Sequence, residues 1–382
     1  MSYLEPWEEK TVSERSDQLK RFVYQAAEDR RVDSLPHVLK PLPSKQTVMG
    51  RGSPHQTGDL TSYDILIRGP LYCFASHIID IAPHVPARGI HRHIAAPTIF
   101  CLGGKGWEMN DGITYQFETH DMVCFAPYSV HQHGGDFEVG CAMISLATRL
   151  FHSFGLMWRE QHKMSEKPVF PDGTEPLYDG EGKLRGYKIK KGILGIRDDI
   201  EVVVGPEPKL EDVFQARKRS QPWSAPIADT YDRYLKLYHD EVHYLGRVDH
   251  VVHENREPWE WSPHGKLKWL VHPLIETGGR QVWAYLHEIP PGSRSGKHLH
   301  VAEEQILVLE GNGFDIHDGA RWQWEAGDFI CVPRMTTHQH FNSGDNRVLL
   351  LCAMPSPYVD VGLGAIEHLE DAPEYAAGEM EL

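Results

Sequence analysis

Three histidines with the same spacing occur twice in this chain, 207 residues apart. The first set is His91, His93 and His131, and the second is His298, His300 and His338. Alternate side chains of a β-strand share a face, so His-x-His places two imidazoles about 7 Å apart on one side. A third histidine from a later strand completes three ligands and leaves coordination positions open. The pattern therefore predicts two metal sites suited to catalysis rather than closed structural zinc sites.

One position of the repeat differs in charge. Pro97 in the first copy stands where the second copy has Glu304. Three neutral imidazoles leave a divalent ion with its full 2+ charge, whereas the Glu304 carboxylate lowers the charge of its site to 1+. The first site therefore favours an anionic substrate that chelates the metal through two oxygens.

Composition limits the class of protein. A length of 382 residues predicts two or three domains, and the repeat favours two. The net charge of −15 argues against a nucleic-acid partner. No apolar run approaches the roughly 18 residues of a membrane span, and the first ten residues do not resemble a signal peptide. The sequence thus predicts a cytoplasmic protein without a membrane partner, and its six cysteines, in apolar runs without a C-x-x-C pair, are expected to be reduced core residues.

Short β-like runs separated by turn residues extend from about 62 to 148 and from about 266 to 360, which predicts an all-β core of two sandwiches or barrels. Capping-box spacing and an apolar stripe predict a helix over 11–31, and helical patterns recur near 211–217 and 227–243. We therefore expect an N-terminal helical arm and connector over 1–60, a first barrel over 61–150 and a helical linker over 151–260. A second barrel follows over 261–362, and an acidic, solvated tail occupies 363–382.

The second copy resembles the two signature motifs of the cupin superfamily. The matching residues are His298, His300, Glu304 and Gly311, followed by Gly327, Pro333, His338 and Asn342. Two such copies, with His91-Arg92-His93 in the first and a His-x-His ending in both, are similar to the gentisate 1,2-dioxygenase group, which includes salicylate and 1-hydroxy-2-naphthoate dioxygenases. The resemblance implies two cupin barrels, which are jelly-roll-like double-stranded β-helices.

The resemblance also implies an activity. It predicts a non-haem Fe(II) dioxygenase that cleaves a C–C bond of an anionic hydroxylated aromatic acid with O2, with iron on His91, His93 and His131. The second set, His298, His300, Glu304 and His338, is complete, so the second barrel alone or both barrels could hold metal. Mn or another divalent first-row ion is the alternative cofactor. A homo-oligomer, dimeric or tetrameric, is also implied.

Two further residues are candidates for catalysis. His133 lies two residues after a predicted ligand, on the same strand face, and is either an acid–base group or a hydrogen-bonded residue of the rim. Arg88 precedes the strand of His91 and is a candidate to meet a substrate carboxylate. Two other functions stay open: a quercetinase-like or Mn-dependent oxalate decarboxylase-like enzyme using the second barrel, and a non-catalytic bicupin that binds a ligand.

Overall fold

The computed structural model describes residues 35–40, 61–64, 71–148, 159–161, 174–189, 200–203, 231, 248 and 250–378. Within these ranges, residues 72, 75, 85–86, 88–89, 94–96, 111, 126, 128, 179, 183, 273, 276, 278, 280 and 361 are not described. Arg88 and the three helices predicted at 11–31, 211–217 and 227–243 lie outside the described residues, apart from Tyr231, which is helical. No helix in the described part of the chain is long and apolar enough to cross a bilayer.

The described residues are predominantly strands. In chain order, the first ten are β1 (Val38–Leu39), β2 (Thr61–Asp64), β3 (His77–Ile81), β4 (His91–His93), β5 (Thr98–Asn110), β6 (Ile113–Glu118), β7 (Met122–Cys124), β8 (His131–Gly135), β9 (Cys141–Leu146) and β10 (Arg159–Gln161). The next six are β11 (Thr174–Tyr178), β12 (Leu184–Ile189), β13 (Ile200–Val203), β14 (Val251–Val252), β15 (Glu260–Ser262) and β16 (Gly265–Val271).

The remaining strands lie in the last third of the chain. They are β17 (Val282–Ile289), β18 (Lys297–His300), β19 (Glu304–Glu310), β20 (Asn312–His317), β21 (Ala320–Glu325), β22 (Phe329–Val332), β23 (His338–Asn342), β24 (Val348–Pro355) and β25 (Ile366–Glu370). Three short helical turns accompany them: a 3-10 turn at Glu254–Arg256, α1 (Pro357–Asp360) and α2 (Pro373–Ala377).

The sequence repeat is a repeat of strands. In the first barrel β4 pairs with β8, β8 with β5, β5 with β9, and β9 with β3. In the second barrel one sheet has the order β1-β22-β19-β24-β17-β16-β15, and the facing sheet has the order β21-β20-β23-β18-β25. The long strand β5 of the first copy corresponds to β19 and β20 together in the second. The predicted all-β fold with two barrels is thereby confirmed.

Segments outside the barrels add strands to them. β1 pairs with β22 of the second barrel, and β14 pairs with β7 of the first. β10 pairs with the histidine strand β4. β11, β12 and β13 form a separate three-stranded sheet. The two helical stretches predicted in the 151–260 linker, near 211–217 and 227–243, lie outside the described residues except for Tyr231, and the other described residues there form strands, turns, extended chain and the 3-10 turn at Glu254–Arg256.

The predicted solvated tail over 363–382 needs correction. Residues 366–370 form β25, which pairs antiparallel with β18, the strand that carries His298 and His300. All five side chains of β25 are exposed. The acidic composition therefore predicted the exposure of the side chains correctly. The backbone of this segment nevertheless pairs with the edge of β18, which composition does not reveal.

Strand alternation divides the apolar residues into three clusters. One cluster joins the outer faces of the two barrels and includes Phe100, Ile144, Leu286 and Leu351. The other two fill the barrel interiors, one in the first half of the chain and one in the second. β24 is buried on both faces because its alternate residues belong to the shared cluster and to the interior. All six cysteines are buried and outside any disulfide, as predicted.

Repeated glycines allow the long strands to bend. Gly104 and Gly311 occupy equivalent positions, with φ of 87° and 89°. A Cβ at Gly104 would lie 2.3 Å from the Gly140 carbonyl oxygen, and one at Gly311 would lie 2.7 Å from Val348 Cγ2. Both positions therefore require glycine for conformation and for space.

Replacing Gly311 with alanine should destabilise the protein more than replacing Gly319 with alanine. Both glycines have a left-handed backbone, with φ of 89° and 87°, so each substitution costs about 1–2 kcal/mol of conformational strain. Only Gly311 also has neighbours in the path of the new methyl group, which adds about 1–3 kcal/mol; at Gly319 nothing lies within 4 Å. Thermal unfolding of the two variants measures the difference, and equal melting temperatures would contradict the account.

Candidate metal centres

The first predicted ligand set is assembled by two neighbouring strands. β4 supplies His91 and His93, β8 supplies His131, and His91 lies directly opposite His131 in the antiparallel pair. The ring centroids of His91 and His131 are 4.2 Å apart, and those of His93 and His131 are 4.7 Å apart. His91 and His131 are buried and His93 is half-buried. Three imidazoles thus converge, and one of them is partly exposed.

The second set has the same layout and a fourth member. His298 lies opposite His338 in the pairing of β18 with β23, with ring centroids 4.2 Å apart. Glu304, the first residue of β19, brings a carboxylate oxygen to 3.4 Å from His300 Nε2 and 3.6 Å from His338 Nε2. All four side chains are buried. The structure therefore brings together every residue of both predicted metal sets.

Backbone carbonyl groups orient the rings. His131 Nδ1 donates to the carbonyl oxygen of Ser129 at 3.0 Å, and its counterpart His338 Nδ1 donates to that of Thr336 at 2.9 Å. His300 Nδ1 donates to the Ala302 carbonyl at 2.7 Å. In this tautomer each Nε2 carries the lone pair, which is the arrangement that metal-binding histidines adopt. The residues present therefore fit a divalent ion.

Charge distinguishes the two centres. Pro97 is half-buried immediately before β5, where the second copy begins β19 with Glu304. Among the described residues the first group consists of three histidines, whereas the second includes a carboxylate. Burial alone would raise the pKa of Glu304, yet the adjacent His300 and His338 hold it well below its usual range. Tyr285 also donates its hydroxyl to Glu304 at 2.7 Å.

A histidine–carboxylate pair stands beside each centre. His133 Nδ1 donates to Glu108 at 2.6 Å, and the equivalent His340 Nδ1 donates to Asp315 at 2.8 Å. The His133 ring lies 5.1 Å from that of His91. The sequence prediction included His133 and missed both carboxylates. The signal was present, because Glu108 and Asp315 are acidic residues at the same 207-residue offset.

A third group of histidines lies within the second barrel. His264, His287 and His340 place one ring nitrogen each within 4.8 Å of the others. Burial lowers the pKa of His287 to about 3, assisted by His340. Burial also lowers the pKa of His264 well below its usual value, with His298 and His287 adding to the effect. Sequence reasoning missed this group because its members are far apart in the chain, and His264 and His287 have no histidine at the 207-residue offset.

The metal-free protein should lose stability as the pH falls from about 6.5. Burial holds the pKa of His338 at about 4 and that of His287 at about 3, against 6.5 for a free side chain. The unfolded chain therefore binds more protons across this interval, so unfolding is favoured progressively as the pH falls through it. His340, whose pKa Asp315 raises despite burial, offsets only part of this loss.

Thermal unfolding in the presence of a chelator at pH 7.5 and pH 5 provides the measurement. One pKa unit corresponds to about 1.4 kcal/mol, so we expect the free energy of unfolding to be several kcal/mol lower at pH 5 than at pH 7.5. The His287→Ile variant, which lacks one of these groups, should show a smaller difference. A melting temperature independent of pH would contradict the assignment of neutral buried imidazoles.

The sequence of this chain is similar to those of known proteins. The cupin domain family matches residues 285–354. An uncharacterized protein of Methanocaldococcus jannaschii is 33% identical over 113 residues, which are 29% of this chain and 90% of that protein.

Solved structures extend the likeness to both barrels. A variant of salicylate 1,2-dioxygenase from Pseudoaminobacter salicylatoxidans in complex with gentisate is 16% identical, with a TM-score of 0.53 over 87% of this chain and 86% of that chain. A second structure of that enzyme, an adduct with gentisate, is 15% identical, with a TM-score of 0.51 over 80% of this chain and 76% of that chain. These likenesses concern the fold, and they agree with the two-barrel resemblance seen in the sequence. The chain therefore belongs to the cupin family and has two cupin barrels.

Proposed function

We propose that the protein is an Fe(II)-dependent dioxygenase that cleaves a C–C bond of an anionic, hydroxylated aromatic acid, with the first barrel as the active site. The observation that carries the proposal is the group of His91, His93 and His131, which contains three neutral ligands and has one partly exposed member. Gentisate, salicylate and hydroxynaphthoate are the candidate substrates. The solved relatives bound to gentisate support this substrate class.

Exposure favours the first centre over the second. His93 is half-buried, so a substrate can approach that side of the first group. At the second centre His300, Glu304 and His338 are at most 3% exposed, and Glu304 already contacts two of the histidines and Tyr285. A substrate that chelates through two oxygens needs adjacent open positions, which the three-ligand site offers more readily.

Iron would supply a Lewis acid that orients the substrate and a redox centre for O2. The protein groups would bind the ion, leave one face accessible and place a proton-handling residue beside it. The hydrogen bond from His131 to the Ser129 carbonyl fixes the ring and its tautomer. A divalent ion held by three neutral histidines would keep its net 2+ charge, which would favour binding of a carboxylate substrate.

His133 is the candidate to accept or donate a proton. Its Nδ1 donates to Glu108, which is 1% exposed, so the ring orientation is set within the barrel. Its ring lies 5.4 Å from that of His131 and 5.5 Å from that of Phe125. A buried carboxylate stabilises the protonated imidazole, which suits a group that takes the proton of a substrate hydroxyl on binding. Arg88 lies outside the described residues, so its role stays a prediction, as does the homo-oligomeric state.

One observation favours a second candidate function. The second barrel holds a complete set of three histidines and one glutamate, which would suit a Mn-dependent reaction on a small carboxylic acid, such as decarboxylation. This alternative makes the second barrel catalytic and leaves the first as a structural copy. The two functions can be separated because each predicts loss of activity from a different histidine.

We expect the protein loaded with Fe(II) to consume O2 in the presence of gentisate, salicylate or hydroxynaphthoate. The His91→Ala substitution should lower this rate by about 100-fold or more, since losing even a hydrogen-bond partner of a ligand costs 10- to 100-fold. His298→Ala, the matched change in the second barrel, should lower it much less. An oxygen electrode and metal analysis of the three proteins provide the data.

The reverse order of effects would move the active site to the second barrel. Absence of O2 consumption with every substrate tested, in protein shown to contain iron, would remove the ring-cleavage proposal. Iron content distinguishes loss of chemistry from loss of binding in each variant.

The Glu108→Gln substitution should reduce the turnover rate about tenfold or more, with a smaller effect on KM, since acid–base groups contribute about 100-fold or more. Glutamine keeps the shape of the side chain but removes the negative charge that stabilises protonated His133. Glu118→Gln, which alters an exposed carboxylate of the same barrel, is the control. The pH profile of turnover should shift only in Glu108→Gln, and identical profiles would contradict a proton-handling role for His133.

A further inference from the structure

We infer that the second barrel contains an additional metal site, formed by His264, His287 and His340 and suited to a borderline first-row divalent ion such as Zn²⁺. It lies beside the predicted set of His298, His300, Glu304 and His338 and shares none of its members. The inference goes beyond the proposed function, which places catalysis in the first barrel.

Buried ring nitrogens without protein partners are the first observation. Both ring nitrogens of His264 and of His287, and Nε2 of His340, have no hydrogen-bond partner among the described residues. His287 and His340 are fully buried. A buried polar group left without a partner costs about 1–3 kcal/mol, so several such nitrogens facing one another call for a ligand.

The strand pairing of the first barrel shows that the fold does not need a histidine here. His287 on β17 lies opposite Leu350, and the equivalent pair in the first barrel is Ile79 opposite Met143. Ile79 is 1% exposed and belongs to the apolar interior of the first barrel. The same barrel position therefore packs well with an aliphatic side chain, which makes packing a poor explanation of a fully buried histidine.

The geometry fits a metal ion. The three ligand nitrogens lie within 4.8 Å of one another, close to the roughly 3–4 Å separation set by metal–nitrogen bonds of about 2.1 Å. Asp315 accepts a hydrogen bond from His340 Nδ1, which directs Nε2 towards the group in the carboxylate–histidine arrangement of many metal sites. A side chain at position 265 would approach His287 Nε2 to 2.7 Å, and Gly265 keeps that approach open.

The ligand type favours a cation over an anion. Imidazole nitrogens are ligands for Zn, Cu, Fe and Ni ions, and both ring nitrogens of His264 and of His287 have no hydrogen-bond partner among the described residues. Glu304 and Asp315 supply negative charge near the pair of centres, which reduces repulsion between two ions in one barrel. The rings of His264 and His298 are only 4.3 Å apart, so the two ions would be neighbours.

Zinc content and thermal stability test the inference. Wild type, His287→Ile and His264→Ala are equilibrated with Zn²⁺, separated from unbound metal and analysed for zinc per chain. Each variant should hold one ion fewer than wild type. Zinc should also raise the melting temperature of the wild type by more than it raises that of either variant.

The isoleucine substitution copies the first barrel and so separates a lost ligand from lost packing. Without metal, His287→Ile should melt at or above the temperature of the metal-free wild type, because it removes a buried imidazole that has no partner. Zinc anomalous scattering from crystals should show a peak among His264, His287 and His340 in the wild type only.

Two results would overturn the inference. One is equal zinc content in all three proteins, and the other is an anomalous peak confined to His298, His300 and His338. If a variant fails to fold, the anomalous map of the wild type still shows whether zinc binds among His264, His287 and His340. None of these measurements uses dioxygenase activity, so the inference can fail while the proposed function stands, or the reverse.

Discussion

The geometry of both candidate metal centres depends on one antiparallel pairing, between the strand that carries His-x-His and the strand that carries the third histidine. His91 faces His131 across β4 and β8, and His298 faces His338 across β18 and β23. A shift of one residue in either register would turn the third imidazole to the opposite face of the sheet. The neighbouring strands hold this register, because β5 pairs with β8 over five residues and β20 pairs with β23 over five.

The same layout serves two different electrostatic environments. Exchange of one residue, Pro97 for Glu304, changes the number of ligands and the net charge while leaving the strands in place. The first centre keeps a partly exposed histidine, whereas the second is enclosed and its carboxylate also accepts a hydrogen bond from Tyr285. Duplication of a barrel thus leaves one copy with a partly exposed group of three histidines and the other with an enclosed group of three histidines and a glutamate. The apolar cluster between the barrels joins the two copies into one core.

The interior of the second barrel is unusually rich in imidazole. His264, His287, His298 and His338 all have pKa values lowered by burial, and only His340, beside Asp315, has a raised pKa. Neutral imidazoles are costly in an apolar interior unless a hydrogen bond or an ion uses their nitrogens. An ion held by these nitrogens would therefore couple metal binding to the folding of this barrel.

Much of the site could be predicted from the sequence. The repeat of His-x-His with a third histidine predicted both groups of side chains that the structure brings together, because strand alternation is local and the spacing reports it directly. Gly311 and Gly327, at fixed spacing from the histidines, and the cysteines in apolar runs were local signals of the same kind. The cupin resemblance rested on the histidines, Glu304 and these glycines together with Pro333 and Asn342, and the fold confirmed it.

Only the tertiary structure decided the rest. The pairing of Glu108 with His133 joins residues 25 positions apart through a strand register that the sequence does not state. His264, His287 and His340 come together because β17, β23 and the turn before β16 belong to one barrel. β25 pairs with the edge of β18 through backbone groups. Local spacing determines which side chains share a face of one strand, whereas barrel closure determines which faces meet, since closure depends on the summed twist and register of every strand.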